Sequence, residues 1–361
     1  MRAVMIFFFL LIGLLMTVEN AFAQSDWSFA ATDRAGSRLL VSKSAPLVVA
    51  VIDTGADLLH PALKGAAWRN PGETGLDSQG RDKASNGIDD DGNGFIDDVS
   101  GWNFAGNDGF IHDSHGHGTH ISGIINAVAP GVKLMTLKYY DPKSKGEDNL
   151  KALIQAIRYA VKMKADVINY SGGGFVPNLE ERAAIREAEK KGILFVAAAG
   201  NEATNSDKRH FYPAGYDLNN ILSVTAHDPR MDILPSSNYG TQTVHLAAPG
   251  AAVLSALPQG AWGAMTGTSQ ATAFVTGAAC LLKTQRPDLS ASELKAQLED
   301  SARFETQMRG KVASAGRLDL RRTLALQDAG RSLSGYRLET YTVLRNKALM
   351  RSRLGSETSL K

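Results

Sequence analysis

Residues 47–55 read Leu47-Val48-Val49-Ala50-Val51-Ile52-Asp53-Thr54-Gly55. Six apolar residues in a row, four of them β-branched, describe a strand with no polar face, the pattern of a strand buried on both sides. The run ends on a carboxylate and a turn glycine. Further strand-like runs follow at 132–139, 165–170, 193–199 and 221–226. Between them the period changes. Leu150, Leu153, Ile154, Ile157 and Val161 recur at helical spacing within 149–163. A charged helix at 179–191 is stopped by Gly192, an apolar one is expected at 268–284, and Ser290-Ala291-Ser292-Glu293 is a capping box that opens another. Strands alternating with helices give the fold class: α/β, a doubly wound, mostly parallel β-sheet flanked by helices. Sites in such sheets gather where strands end and loops begin, as Asp53 and Asn201 do.

The chain has 361 residues, 43% of them apolar, enough for one large domain with short extensions. Its 39 basic and 37 acidic side chains leave a net charge of +2, so no overall field favours nucleic acid or an anionic membrane. The N-terminus reads as a secretory signal: Arg2, an apolar run from Met5 to Met16, then Ala21-Phe22-Ala23 as a cleavage pattern. The expected organisation is therefore a signal peptide at 1–23, a short extension at 24–45, a catalytic-sized domain at 46–328 and a basic tail at 329–361. Export to a periplasm or beyond the cell is expected, with no membrane attachment after cleavage. The one cysteine, Cys280, lies in an apolar helical run and reads as a small buried hydrophobe.

Three segments carry chemistry. Asp53 ends a buried strand, His117 lies in Ser114-His115-Gly116-His117-Gly118-Thr119-His120, and Ser269 opens an apolar helix in Gly267-Thr268-Ser269-Gln270. A serine hydroxyl is a poor nucleophile until a base takes its proton, and a carboxylate fixes that base's tautomer. Spacing alone does not show that the three meet. The order Asp, His, Ser and the local sequences resemble the subtilases. Asp53-Thr54-Gly55 is similar to the family's aspartate motif, His117-Gly118-Thr119-His120-Ile121-Ser122-Gly123 to its histidine motif and Gly267-Thr268-Ser269 to its serine motif. Ala197-Ala198-Ala199-Gly200-Asn201 resembles the oxyanion strand, and Asn169-Tyr170-Ser171-Gly172-Gly173 the cleft wall. The resemblance spans about residues 45–328.

That resemblance implies a subtilisin-like three-layer sandwich and a secreted serine endopeptidase acting on polypeptides, expected as a monomer. Ser269 would be the nucleophile, His117 the general base, Asp53 its orienting partner and Asn201 the oxyanion donor. Ser171, Gly172, Gly173 and Ala199 would line the cleft. Gly172 stands where the family has a larger residue, and is expected to widen the primary specificity pocket. Gln270 and Ala273 depart from the usual serine motif without removing a catalytic group. The short stretch 24–45 leaves no room for a folded prodomain, so a separate inhibitor or chaperone protein remains an open partner.

Asn86 to Asp98 reads Asn-Gly-Ile-Asp-Asp-Asp-Gly-Asn-Gly-Phe-Ile-Asp-Asp. Asp89, Asp91, Asn93 and the Phe95 carbonyl match positions 1, 3, 5 and 7 of an EF-hand loop, which suits calcium. Ser100 falls at the twelfth position, so Asp97 or Asp98 is expected to close the shell. Two other readings compete. His115-x-His117-x-x-His120 resembles the zinc-binding run of metallo-β-lactamases, although Thr119 replaces the expected acid. A peptide-binding protein of the same fold without catalysis is the other.

Overall fold

The computed structural model describes residues 27–33 and 46–325. The expected signal segment and the basic tail lie outside the described residues. A short helix, α1 (Trp27–Ala31), precedes β1 (Val48–Asp53), β2 (Gly101–Asn103), α2 (His117–Val128), β3 (Lys133–Lys138), α3 (Gly146–Lys162) and β4 (Val167–Tyr170). Then come α4 (Leu179–Lys190), β5 (Leu194–Ala198), β6 (Ile221–His227), β7 (Leu246–Pro249) and the hairpin β8 (Val253–Leu257) with β9 (Ala261–Met265). The chain continues through α5 (Thr268–Gln285), α6 (Ala291–Asp300), β10 (Arg303–Phe304) and β11 (Gly316–Arg317). Among the described residues nine strands form one sheet in the order β10-β11-β7-β6-β5-β4-β1-β3-β2, and β8–β9 form a separate antiparallel pair. Within the large sheet only β10–β11 is antiparallel.

Side-chain alternation along the buried strands divides the core in two. Val49, Val51, Val167, Val196 and Val224 pack with α2 and α5 on one face, while Ala50, Ile52, Ile168, Phe195 and Ala197 pack with α3 and α4 on the other. Both faces are covered, which is why these strands read as unbroken apolar runs. The expected capping box is present: Ser290 accepts from the Glu293 N–H while the Glu293 carboxylate accepts from the Ser290 N–H. Asn178 caps α4, and Gly192 ends it with φ +72°. Cys280 is fully buried in α5. Among the described residues no helix is long and apolar enough to cross a membrane.

Register sets the site. β1 pairs with β3 on one side and β4 on the other, so the chain reverses its winding at β1. Tyr170 of β4 lies beside Ile52 of β1 and beside Ala197 of β5. The carboxyl ends of all three strands therefore open on one edge, the expected place for a site.

The N-terminal extension is partly built into this body. Trp27 Nε1 donates to the Ala251 carbonyl at 3.1 Å, Leu320 N–H donates to the Thr32 carbonyl at 2.9 Å, and the Arg317 guanidinium reaches the Ala31 carbonyl. Phe29 is buried with its ring edge-on to Phe274 of α5, centroids 5.0 Å apart. Replacing Phe29 by alanine removes that contact and leaves a cavity, at a cost of about 3–5 kcal/mol. Urea unfolding in a Ser269→Ala background measures it; a loss below about 1 kcal/mol, the scale of a surface substitution, would mean the segment is not packed.

Candidate active site

Asp53 is the last residue of β1, and His117 is the first of α2. Their side chains meet: His117 Nδ1 lies 2.7 Å from Asp53 Oδ1, which also accepts the Thr54 N–H at 2.8 Å. The approach requires glycine after the histidine. A Cβ on Gly118 would strike the Gly55 carbonyl and sit 3.1 Å from the Asp53 Cβ. Asp53 is buried, whereas about a quarter of the His117 side chain, 23%, reaches solvent. Burial disfavours the imidazolium, but the Asp53 carboxylate outweighs it, and the His117 pKa is raised above its ordinary value.

A second carboxylate builds the frame. Asp113, fully buried, accepts from the Thr54 and Thr119 hydroxyls and from the backbone N–H groups of His115, Gly116 and Thr119, at 2.7–2.9 Å. Thr54 in turn accepts the Gly118 N–H at 2.9 Å. Asp113 thus ties the end of β1 to the first turn of α2. Burial would raise its pKa, but these donors bring it below the usual carboxylate value. Nothing in the spacing of the histidine segment set this residue apart from an ordinary loop acid.

Ser269 is the second residue of α5, where unpaired N–H groups and the helix dipole favour negative charge. Gly267 cannot cap this helix with a side chain, and Asn201 does so from another loop: its Oδ1 accepts the Thr268 N–H at 3.0 Å, leaving the amide Nδ2 to donate. Ser269 Oγ donates to the Ser171 carbonyl at 3.1 Å, and Ser171 Oγ donates to the Ser269 carbonyl at 3.4 Å. The serine hydroxyl is thus turned to the cleft wall in this conformation, and the bond to His117 is not made. Such bonds are often long or unmade without substrate.

Two expectations about the cleft fail. Ala199 is fully buried and packs with Val244, Ala247, Met308 and Val312, so its side chain does not line the cleft. It directly follows β5, and its N–H still pairs with the Val224 carbonyl of β6 at 2.9 Å, which keeps it within the covered sheet. Gly172 does not widen a pocket either. A Cβ there would lie 2.6 Å from the Tyr139 hydroxyl and 2.8 Å from that of Tyr170, so these two tyrosines occupy the space a larger residue would take. The open volume beside the Asp53–His117 pair is a cleft of about 240 Å³ lined by Thr54, His115, Tyr139, Tyr140 and Ser171.

The family model described as the subtilase family matches residues 45–331. The chain belongs to the subtilase family. This subtilase is a serine-type endopeptidase, and polypeptides are its substrates. It is 34% identical over 274 residues to the major intracellular serine protease of Bacillus subtilis (strain 168), covering 71% of this chain and 76% of that protein. It is 31% identical over 264 residues to thermitase of Thermoactinomyces vulgaris, covering 70% and 80%. A cold adapted subtilisin-like serine proteinase of known structure superposes with a TM-score of 0.62 over 80% of this chain and 97% of that one; at 24% identity this bears on the fold.

The remaining histidines of the segment diverge. His112 and His115 are exposed. His120 is fully buried, its Nε2 shared between the carbonyls of Val253 and Gly263 at 3.0 and 3.2 Å, and burial lowers its pKa to about 4. It is a neutral tie between α2 and the β8–β9 hairpin. Among the described residues, the side chains that converge closely enough to share a metal are Glu73, Asp89 and Asp91, none of them histidine, which removes the zinc reading.

The acidic loop takes a different shape from the one expected. Asp89 and Asp91 do converge, but the third carboxylate is Glu73, from the short 3-10 turn Pro71–Glu73. One Glu73 oxygen accepts the Asp90 N–H at 2.8 Å, while Oε2 is buried with no partner. Burial, then the charges of Asp98, Asp91 and Asp90, raise its pKa despite that bond. Asp98 does not join this group. Its oxygens are taken by Asn70, Asn93 and the Tyr159 hydroxyl, three donors in a buried site. Asn93 donates to Asp98 and accepts the Phe95 N–H, and the Phe95 ring packs on Trp102, Phe104 and Tyr159. Glu73 was not legible because it lies well upstream of the loop, at no ligand spacing.

Asp113→Asn replaces one acceptor oxygen by a donor facing other donors, at a cost of about 1–3 kcal/mol at neutral pH. The folded pKa of Asp113 is depressed, so its contribution is present above the unfolded value and is lost as pH falls through the folded one. Unfolding free energies of the two proteins should converge at low pH; equal stability at neutral pH would contradict the bracing role.

Proposed function

We propose that this subtilase is exported and hydrolyses peptide bonds through an acyl-enzyme formed on Ser269. His117 takes the Ser269 proton and returns it to the leaving amine. Asp53 holds Nδ1–H so that Nε2 is free to act as base, and stabilises the imidazolium. Asn201 Nδ2 and the Ser269 backbone N–H receive the oxyanion, at the positive end of α5. The observation that carries this reading is the 2.7 Å contact between Asp53 and His117, reached from two separate elements on the edge where Ser269 and Asn201 also stand. Export rests on the sequence of residues 1–23 alone, and the Bacillus relative's name marks it as intracellular.

The base works only when neutral, and its folded pKa is raised. Hydrolysis of an unfolded protein substrate should therefore rise with pH through a midpoint above the ordinary histidine value of about 6.5. Asp53→Asn should lower the rate by about 10⁴-fold, the effect of the same change in a serine protease of another fold, and move the midpoint down. A midpoint unmoved in Asp53→Asn, or hydrolysis unchanged in Ser269→Ala, would exclude these roles.

Calcium fits the acidic loop: a buried carboxylate oxygen of Glu73 lacks a partner, and one carboxylate oxygen each from Glu73, Asp89 and Asp91 lie within 4.8 Å of one another. A hard cation with oxygen ligands would offset this repulsion. We assign Asp89, Asp91 and Glu73 as its carboxylate ligands, with Asn93 and Asp98 holding the loop. Calcium at a hundredfold its dissociation constant should stabilise the protein by about 2.7 kcal/mol. Calorimetric titration of chelator-treated protein checks this, with Glu73→Gln weakening binding. No heat on titration would remove the assignment.

A further inference from the structure

The serine-peptidase reading leaves open which residue may precede the cut bond. The wall beside Ser269 limits it. β4 and β5 are paired, with Tyr170 opposite Ala197, and leave the sheet side by side as 171–174 and 199–201. The first extension touches the nucleophile through Ser171. The second touches the same helix start, because Gly200 N–H donates to Thr268 Oγ1 at 3.3 Å and Asn201 accepts the Thr268 N–H. A carbonyl attacked by Ser269 must come within about 3–3.5 Å of Oγ. Its Cα is one bond farther, which brings the side chain on that Cα within reach of the slot between the two extensions.

That slot holds a ring. A Cβ on Gly173 would collide with the Phe211 ring and the Tyr212 carbonyl, and one on Gly200 would lie 3.0 Å from Phe211 Cδ1. The same aromatic side chain therefore abuts both walls, and it is 5% exposed. It is held there. Gly174 and Tyr212 exchange two backbone hydrogen bonds at 2.8 and 2.7 Å, and Phe211's carbonyl accepts the Gly215 N–H at 2.7 Å. Phe175 packs edge-on against Phe211, centroids 5.5 Å apart, and the Arg209 guanidinium lies 3.6 Å over Phe175. The cleft volume near the Asp53–His117 pair opens on the side of Tyr139 and Tyr140 and is not lined by Phe211.

We infer that Phe211 closes the slot for the residue preceding the scissile bond, so that this subtilase cuts after glycine, alanine or serine and rejects large side chains. An aromatic residue would need to bury about 150–250 Å² there, where the walls already enclose another ring. The inference rests on Ser269 being the nucleophile, and the test separates the two. A digest of a proteome-derived peptide library, with Ser269→Ala as control, maps the wild-type cleavage sites by mass spectrometry. Cuts should fall after glycine, alanine and serine. Phe211→Ala, and Phe211→Val as a gentler change, should raise the ratio of kcat/KM for a phenylalanine substrate over its alanine counterpart by at least about tenfold, since even one methylene commands that discrimination in an apolar pocket. Wild-type cleavage as ready after phenylalanine or leucine as after alanine overturns the inference while leaving the serine mechanism intact, and it does so even if neither variant folds. An unchanged ratio in an active variant also overturns it. A wild-type protein that cuts no more than Ser269→Ala removes the serine mechanism, and this inference with it.

Discussion

Parallel pairing of β4 with β1 on one side and β5 on the other brings three strand ends to one edge. Asp53, Ser171 and the turn that carries Asn201 are fixed by that register. A slip of one residue would turn Asp53 away and carry Ile52 to the opposite face, into the space now filled by Val49 and Val51, because strand side chains alternate between faces. The slip is prevented by burial on both faces. Val49 and Val51 lie in one apolar cluster and Ala50 and Ile52 in the other, so a one-residue slip would mismatch side-chain volumes on both faces.

The nucleophile and the base then depend on contacts between elements far apart in sequence. α2 and α5 pack closely: a Cβ on Gly277 would lie 2.6 Å from the Val128 side chain. The hairpin leading to Ser269 is tied to α2 by His120 Nε2 and by Ser255 Oγ, which donates to the His120 carbonyl at 2.8 Å. A histidine whose pKa is lowered to about 4 stays neutral across the physiological range, so this tie does not titrate alongside His117. Asp113 fixes the start of α2 through its bonds to Gly116 and Thr119. Burial keeps His120 neutral, the donors around Asp113 hold its pKa below the usual carboxylate value, and the Asp53 carboxylate raises that of His117.

Much of this was legible in sequence. The strand ending at Asp53, the helix opened by Ser269 and the capping box at Ser290 are local patterns, and local patterns survive folding. The hairpin at 253–265 was not legible, since β9 is a largely exposed strand without apolar alternation and is ordered by its pairing with β8, which packs on α2. Glu73 and Phe211 were missed for a related reason. Each acts on a segment distant in the chain, and neither sits in a motif of its own. The errors about Gly172 and Ala199 have the same origin. A small residue in sequence suggests space, but Tyr139 and Tyr170 fill the space beside Gly172, and Val244, Ala247, Met308 and Val312 enclose Ala199.

The central claim is that Ser269 is an activated nucleophile, and reaction with a fluorophosphonate tests it without any assumption about substrate. Intact mass should show one adduct per molecule of folded protein in calcium buffer, mapped to Ser269 and absent from Ser269→Ala. Folded protein that takes up no probe, or a Ser269→Ala variant that is labelled as readily as the wild type, would contradict the account.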